Sequence, residues 1–291
     1  MKVPGAGCRK SCRSEVAVSR QALLSVRECL VSPMDVRAYL DRIGYQGEVT
    51  PSADVLRLLH RAHMFTVPFE NLDIGLGREI VCDEARFLHK IVTQKRGGFC
   101  YELNGAFAAL LRTLGFQVTL LSARVPRDDG SGGPEFDHLT LRVDLEAPWL
   151  ADVGFGDSFV EPLRLEPSIE QKQFGRGYRL SSIEGGFRLE SQIENEKAGR
   201  EKAESEWKEE YLFKLKPRQL AEFSPMCRYH QTSPDSPFTR KRVCSRATPE
   251  GRVTLSNGKL IETRNGVRQE RVLGDEEWRA SLRDVFGVVL P

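Results

Sequence analysis

The chain has 291 residues, enough for about two domains or three small ones and for a sizeable buried core. Hydrophobic residues make up 40% and charged residues 29%, ordinary globular usage that excludes a disordered, collagen-like or low-complexity protein. With 43 Lys and Arg against 41 Asp and Glu the formal charge is +2, too balanced for a chain that covers phosphate backbones, so nucleic acid is not an expected partner.

The first 33 residues carry six basic and two acidic side chains and three of the seven cysteines, with little periodicity before QALLSVRECL. They lack the apolar centre of a secretory signal, and they read as an extension that is disordered or precedes a native start near Met34; an organelle-targeting peptide is the other reading weighed for them. From Met34 the text is helical. MDVRAYLDRIG sets Val36, Tyr39, Leu40 and Ile43 on one stripe ended by Gly44, and ADVLRLLHRAHMF follows Ser52 as N-cap with a stripe through Val55, Leu58, Leu59 and Ala62. VPFENLDIGLG breaks the pattern. DEARFLHKIVTQKRGG resumes it until Gly97 and Gly98, and CYELNGAFAALLRTLG closes the helical region at Gly115.

After Gly115 the grammar is that of strands. FQVTLLSARV, DHLTLRVDL and WLADVGFG are short apolar or alternating runs, and GYRLSSIEGGFRLES reads as a hairpin. The charged run at 194–210 reads as a solvated loop or exposed helix. CRYHQTSPDSPF reads as a Pro- and Ser-rich loop, two short strands flank Asn257-Gly258, and DEEWRASLRDVFG is a closing helix capped by Asp275. No run reaches the roughly 18 apolar residues of a membrane-spanning helix, so no membrane partner is expected.

The cysteines at 8, 12, 29, 82, 100, 227 and 244 are odd in number, irregular in spacing and without a Cys-x-x-Cys pair. That favours free thiols in a reducing, cytoplasmic compartment and no structural metal. His60 and His63, three apart on a helix, form half a metal site at most; with no carboxylate or thiol at matching spacing they read as packing.

Cys100 differs from the other thiols by its surroundings. RGGFCYELN puts two glycines before it and a strongly periodic helix after it, so its sulfur is expected at a helix N-terminus, where the dipole, free amides, Arg96 and Lys95 favour a thiolate nucleophile. Inert packing is the bland alternative. His138 lies in FDHLTLRV, alternating with Thr140 and Arg142 on the face opposite Leu139, Leu141 and Val143, a position that is structural or exposed in most strands. Asp152, between Ala151 and Val153, persists in such surroundings only if something hydrogen-bonds it, and an imidazole would serve. If the two segments pair antiparallel, His138 and Asp152 sit directly across when Val143 opposes Ala147. A register two residues off still allows diagonal contact, whereas Leu145 opposing Trp149 would separate them.

RGGFCYELN, HLTLRV and DVGFG, preceded by HRAHMFTVPFENLD and followed by QTSPDSPF, CSRATPEG and the terminal FGVVL, resemble the arylamine N-acetyltransferases from about Met34 to Leu290. The resemblance implies an α+β fold: an N-terminal helical bundle over 34–117 carrying the nucleophile, a central β-barrel over 118–223 carrying His and Asp, and a C-terminal α/β lid over 224–291, with a papain- or transglutaminase-like Cys-His-Asp core. It makes Cys100 the acetyl acceptor, His138 the base and Asp152 its orienting partner in a ping-pong reaction. Acetyl-CoA is the implied co-substrate, and an arylamine, arylhydrazine or N-hydroxyarylamine the acceptor. Phe69 and Phe155 match positions that line the acceptor pocket, with ordinary core aromatics as the alternative. Gly132, Gly133, Ser236 and Phe238 match regions near CoA, although Asp235 there would repel a phosphate. An amide synthase or another acyl-CoA N-acyltransferase of the same family keeps the triad and changes the donor. A cysteine hydrolase or transglutaminase-like enzyme fits the triad without the other motifs.

Overall fold

The structure is a computed structural model that describes Met1 and residues 34–127, 131–193 and 207–290. The extension with Cys8, Cys12 and Cys29, and residues 194–206 of the charged run, lie outside the described residues.

Helix α1 (Val36–Ile43) starts where the Asp35 carboxylate accepts from Ala38 N at 2.9 Å and ends at Gly44, whose φ of 70° is left-handed. Helix α2 (Ala53–Thr66) is capped by Ser52 Oγ accepting from Val55 N. Its buried face is not the expected one: Leu58 is exposed, and the inward residues are Val55, Leu56, Leu59, His60, His63 and Met64. Val55 and Leu59 face inward as expected, and His60 and His63, each enclosed and hydrogen-bonded, extend that face in place of Leu58 and Ala62. Strand β1 (Phe69–Glu70) and the single turn α3 (Leu72–Gly75) follow. Helix α4 (Glu84–Leu88), capped by Asp83, runs into a π-helical turn at His89–Thr93 and stops before the glycine pair, where Lys95 takes a left-handed φ of 52°. Helix α5 (Cys100–Thr113) is buried along almost its whole length.

The strands that follow are β2 (Gln117–Arg124), β3 (His138–Asp144), β4 (Pro148–Ala151), β5 (Leu163–Arg164), β6 (Gln171–Gln173), β7 (Arg176–Ile183), β8 (Gly186–Ile193) and β9 (Lys208–Lys214). They form an antiparallel sheet in the order β5-β4-β3-β2-β9-β8-β7-β6. Its two edge strands are joined by side chains in place of a backbone ladder. The Gln171 carboxamide accepts from Arg164 N at 2.8 Å and donates to Arg164 O at 3.0 Å, and Gln173 does the same to Val160 N, Glu161 N and Glu161 O. The sheet is thereby a nearly closed barrel, which satisfies edges that would otherwise be exposed templates for pairing. Its interior holds Leu121, Leu180, Leu189, Phe159, Tyr178 and Phe213, each large aliphatic chain contributing roughly 1.5–3 kcal/mol by leaving water.

The C-terminal part departs from expectation first where residues of the predicted loop form helix α6 (Ser224–Thr232), with Pro225 in its first turn, and the short α7 (Pro237–Arg240). Strands β10 (Val243–Thr248), β11 (Gly251–Ser256), β12 (Lys259–Arg264) and β13 (Val267–Val272) then make a second antiparallel sheet, onto whose β10 edge β1 pairs. The Asn257-Gly258 turn has both residues at positive φ, as a two-residue hairpin requires. Helix α8 (Asp275–Phe286) buries Leu282 and Phe286 on this sheet; its N-cap is Gly274, whose N–H is taken by Glu277, so Asp275 is the first helical residue and not the cap. The fold is thus α+β, with helices around a barrel and a smaller sheet. Among the described residues no helix is long and apolar enough to cross a membrane, and no group of three or more His, Cys, Asp or Glu side chains could hold a metal ion.

Candidate active site

The loop that delivers Cys100 to the start of α5 is fixed by buried charges. Arg96 donates to Glu70 at 2.7 and 3.0 Å and to Asp73 at 3.1 Å. Lys90 reaches Asp73 at 2.7 Å and Glu102 at 2.8 Å, and the second Glu102 oxygen accepts from Phe99 N at 3.1 Å, closing the first turn. The glycines serve backbone against backbone: a Cβ on Gly97 would sit 1.9 Å from Pro68 O. Arg96 is therefore spent on carboxylates and Lys95 is exposed, so neither supports the sulfur as expected. Burial pushes the Cys100 thiol well above its ordinary value, against hydrogen bonds from Leu139 N and Tyr101 N that favour the thiolate. A lone thiolate is disfavoured there; negative sulfur requires a positive partner.

Leu139 N belongs to the peptide that follows His138, so the contact with Sγ sets Cys100 against the first turn of β3. His138 Nε2 lies 2.6 Å from Asp152 Oδ2. The register opposes Val143 to Trp149 and Leu141 to Ala151, two residues from direct opposition, so His138 and Asp152 meet diagonally on one face. The β3–β4 ladder ends at that pair, and α5 occupies the place beyond it. Asn104, one helical turn after Cys100, donates to Leu139 O at 2.6 Å and to Asp152 Oδ1 at 2.8 Å while accepting from Val153 N at 2.9 Å.

Asp152 accepts two further bonds, from Tyr211 Oη at 2.9 Å and Gly154 N at 3.0 Å. Burial acts to raise its carboxyl, but His138, Asn104 and Gly154 N outweigh it and hold the group below its ordinary value, as a carboxylate. Its backbone N–H is received by His60 Nε2 at 3.0 Å, and His60 Nδ1 donates to Val160 O at 2.7 Å. Both ring nitrogens are thus engaged in the neutral form, and burial lowers His60 to about 4. Reading His60 as mere packing missed its hold on the Asp152 backbone. Asn104 was detectable as the polar residue at the i+4 position from Cys100; Tyr211, far along the chain, left no local signal.

Phe155 stands edge-on to His138 with ring centres 5.2 Å apart, and the Phe69 ring lies against Gly156. Both are half-buried, and Cys100 keeps 4% of its surface accessible. Phe238 packs on Phe69, Phe99 and His230. Gly132 is exposed, whereas Gly133 is enclosed, with its carbonyl taken by Arg124 at 2.7 Å. Ser236 is wholly buried. Its hydroxyl donates to His230 O and accepts from Phe238 N, so it caps α7 and positions Phe238, and its oxygen is not presented to a phosphate. His230 in turn binds Asp137 Oδ1 at 3.2 Å, docking α6 beside His138.

The chain as a whole matches known proteins. A family model described as N-acetyltransferase matches residues 52–291. The chain is 34% identical over 276 residues, 88% of its length and 95% of the relative's, to the arylamine N-acetyltransferase pineal gland isozyme NAT-3 of Gallus gallus. It is 34% identical over 240 residues, 81% of its length and 82% of the relative's, to the arylamine N-acetyltransferase / N-hydroxyarylamine O-acetyltransferase of Salmonella typhimurium. The solved arylamine N-acetyltransferase of Mycobacterium marinum in complex with CoA superposes with a TM-score of 0.78 at 31% identity, covering 87% of this chain and 93% of that one. Matched in sequence and in backbone over most of its length, the chain is an acyltransferase of the arylamine N-acetyltransferase family.

Proposed function

We propose that the protein transfers an acetyl group from acetyl-CoA to an arylamine, arylhydrazine or N-hydroxyarylamine through a thioester on Cys100. One observation carries the assignment of roles: Asn104, on the helix of Cys100, is hydrogen-bonded to the carboxylate that holds His138. The relatives named for arylamine and N-hydroxyarylamine acetylation and the CoA complex support the substrates.

Asp152 occupies Nε2 of His138, so the ring nitrogen assigned to the thiol is Nδ1. In the first half-reaction His138 Nδ1 takes the Cys100 proton, the sulfur attacks the acetyl carbonyl of the donor, and CoA departs with the proton returned by His138. In the second half the acceptor nitrogen attacks the Cys100 thioester, His138 removes a proton from that nitrogen, and the same proton goes back to Cys100 as the sulfur leaves. Asp152 stabilises the imidazolium formed in each half and stays ionised throughout. The amides of Leu139 and Tyr101 offset the charge that burial opposes on sulfur. Phe69 and Phe155 provide flat walls for an aromatic acceptor. Phe238 and the Gly132 backbone are the positions assigned to CoA, with Gly133 and Ser236 shaping them. The division at 34–117, 118–223 and 224–291 then places nucleophile, base pair and lid on three parts of the chain. The four described cysteines are free thiols, which supports a cytoplasmic location.

Intact-mass measurement after mixing with acetyl-CoA alone tests the reading. One acetyl group should appear on the peptide containing Cys100 and disappear when an aromatic hydrazine is added. Absence of that adduct under turnover conditions would overturn the mechanism. The same experiment with longer acyl-CoA donors separates the acetyltransferase from an acyltransferase of different donor choice.

A further inference from the structure

Away from Cys100, two other thiols face one another. Cys82 lies in the extended segment between α3 and α4, and Cys227 lies on α6; both line a surface cavity of about 430 Å³ together with Arg78, Glu79 and Gln231. Their approach is fixed on both sides. Gln231 accepts from Ile80 N at 2.7 Å and donates to Ile80 O at 2.9 Å, clamping the segment to α6 two residues before Cys82. The same amide reaches Cys227 Sγ at 3.2 Å, and Cys227 Sγ donates to Ile80 O at 3.6 Å. The two thiols bear directly on one another from opposite sides of this clamp, and the Ser224 hydroxyl also acts on Cys82.

The two sulfurs are unequal. Cys82 is half-buried on the cavity wall, and its thiol is held below the ordinary value, first by the neighbouring Cys227 side chain and also by Ser224, against burial. Cys227 is buried and pushed up by the neighbouring Cys82 thiol and by desolvation. An accessible, lowered thiol beside an enclosed one is the arrangement in which the first reacts with an oxidant and the second resolves it.

We propose that Cys82 and Cys227 form a dithiol that a hydroperoxide oxidises to an intrachain disulfide, with Cys82 the attacking sulfur, at a site separate from Cys100. The Cys82 thiolate attacks the outer oxygen of the hydroperoxide; an S–O bond forms, the O–O bond breaks, and the alcohol or water departs with the thiol proton, leaving Cys82 as a sulfenic acid. Cys227 then attacks the Cys82 sulfur. The S–S bond forms, the S–O bond breaks, and water leaves with the Cys227 proton, so two thiols have given two electrons to one peroxide. The product ties the segment before α4 to the helix that carries His230, and through His230 to Asp137 beside His138.

The test is peptide mapping of the full chain after treatment with hydrogen peroxide, on the wild type and on Cys100→Ser. Trypsin releases Cys82 in peptide 79–86 and Cys227 in peptide 219–228, each with a single cysteine. Both proteins should yield the two peptides joined, lighter than their sum by two hydrogens and separated again by dithiothreitol. In Cys227→Ser the intermediate has no resolving sulfur, so dimedone should label peptide 79–86; in Cys82→Ser peptide 219–228 should stay unlabelled. Failure of the joined pair to form in the wild type while Cys100 is oxidised would overturn the proposal without bearing on the thioester reading. Dimedone on peptide 219–228 in Cys82→Ser would reverse the assigned order of attack.

Discussion

Asn104 Nδ2 lies 2.8 Å from Asp152 Oδ1, and this bond joins the helix that begins with Cys100 to the residue that orients His138. The same side chain also holds Leu139 O and Val153 N, so it fixes two separate backbone segments, at 139 and at 152–153, against α5. Asn104→Leu leaves the Val153 N–H and the Leu139 carbonyl without partners and removes a bond to a buried carboxylate. Each unsatisfied group costs about 1–3 kcal/mol. The variant is expected to unfold at clearly lower denaturant concentration and to acetylate its cysteine at least tenfold more slowly. Urea melts and stopped-reaction mass spectra check both, and an unchanged acetylation rate would separate Asn104 from the site.

Asp152→Asn tests the orienting role with almost no change of shape. The amide replaces an acceptor of four bonds, and the NH₂ group then faces either the Tyr211 hydroxyl and His138 or the Asn104 amide. Where it faces His138 Nε2 it turns that nitrogen into an acceptor and moves the ring proton to Nδ1, the nitrogen required as base. By the magnitude seen when a triad carboxylate is neutralised elsewhere, kcat should fall by roughly 10³–10⁴-fold. KM for the acceptor should change little, which steady-state kinetics with a chromogenic arylamine would show.

Helices α1, α2, α4 and α5, strands β2, β3, β4, β7 and β8 and the position of Cys100 at a helix start were legible because each rests on local pattern. Ser52, Asp35 and Asp83 cap as their types require, and the Asn257-Gly258 turn has only one short solution. His138 and Asp152 were legible as a pair only through the possible registers of two neighbouring strands. What escaped was set by distant contacts. Tyr211 reaches Asp152 from a strand 59 residues on, and the charge on Arg96 is absorbed by Glu70 and Asp73 from another turn of the chain. The inward face of α2 was placed too near Leu58 and Ala62 because the groups that engage His60, Val160 O and Asp152 N, come from distant segments.

Glu102 gives the fold a pH dependence of identifiable sign. Burial raises its carboxyl from 4.5 to about 7, with Lys90 and Phe99 N acting the other way. Between those values the folded chain holds a proton that the unfolded chain has released, so this group's contribution to stability falls as pH rises from 4.5 to 7. At about 1.4 kcal/mol per pH unit the loss is on the order of 3 kcal/mol. Glu102→Gln abolishes the titration, so its stability relative to wild type should improve steadily across that window. Denaturant midpoints for the two proteins at matched pH values supply the comparison, and parallel curves would mean that Glu102 is already ionised at the acid end.

Gly154 is where the Asp152 segment passes closest to the nucleophile. A Cβ built there would lie 2.8 Å from Cys100 Cα, 2.9 Å from Cys100 O and 2.7 Å from Asn104 Nδ2, two of them backbone atoms that cannot swing aside. Relief therefore requires the 152–154 segment to move away from α5. That motion would stretch the Asn104–Asp152 bond and carry His138 with it, because the imidazole is tied to the same carboxylate. Gly154→Ala is expected to cost roughly 1–3 kcal/mol of stability from overpacking. Its effect on chemistry should be larger than that figure alone implies, since a displacement of even about 1 Å between reacting groups can cost 10²-fold in rate. The separating measurement is the single-turnover rate of Cys100 acetylation at a temperature where the variant is fully folded. A normal rate there would show that the strand accommodates the methyl group without disturbing His138.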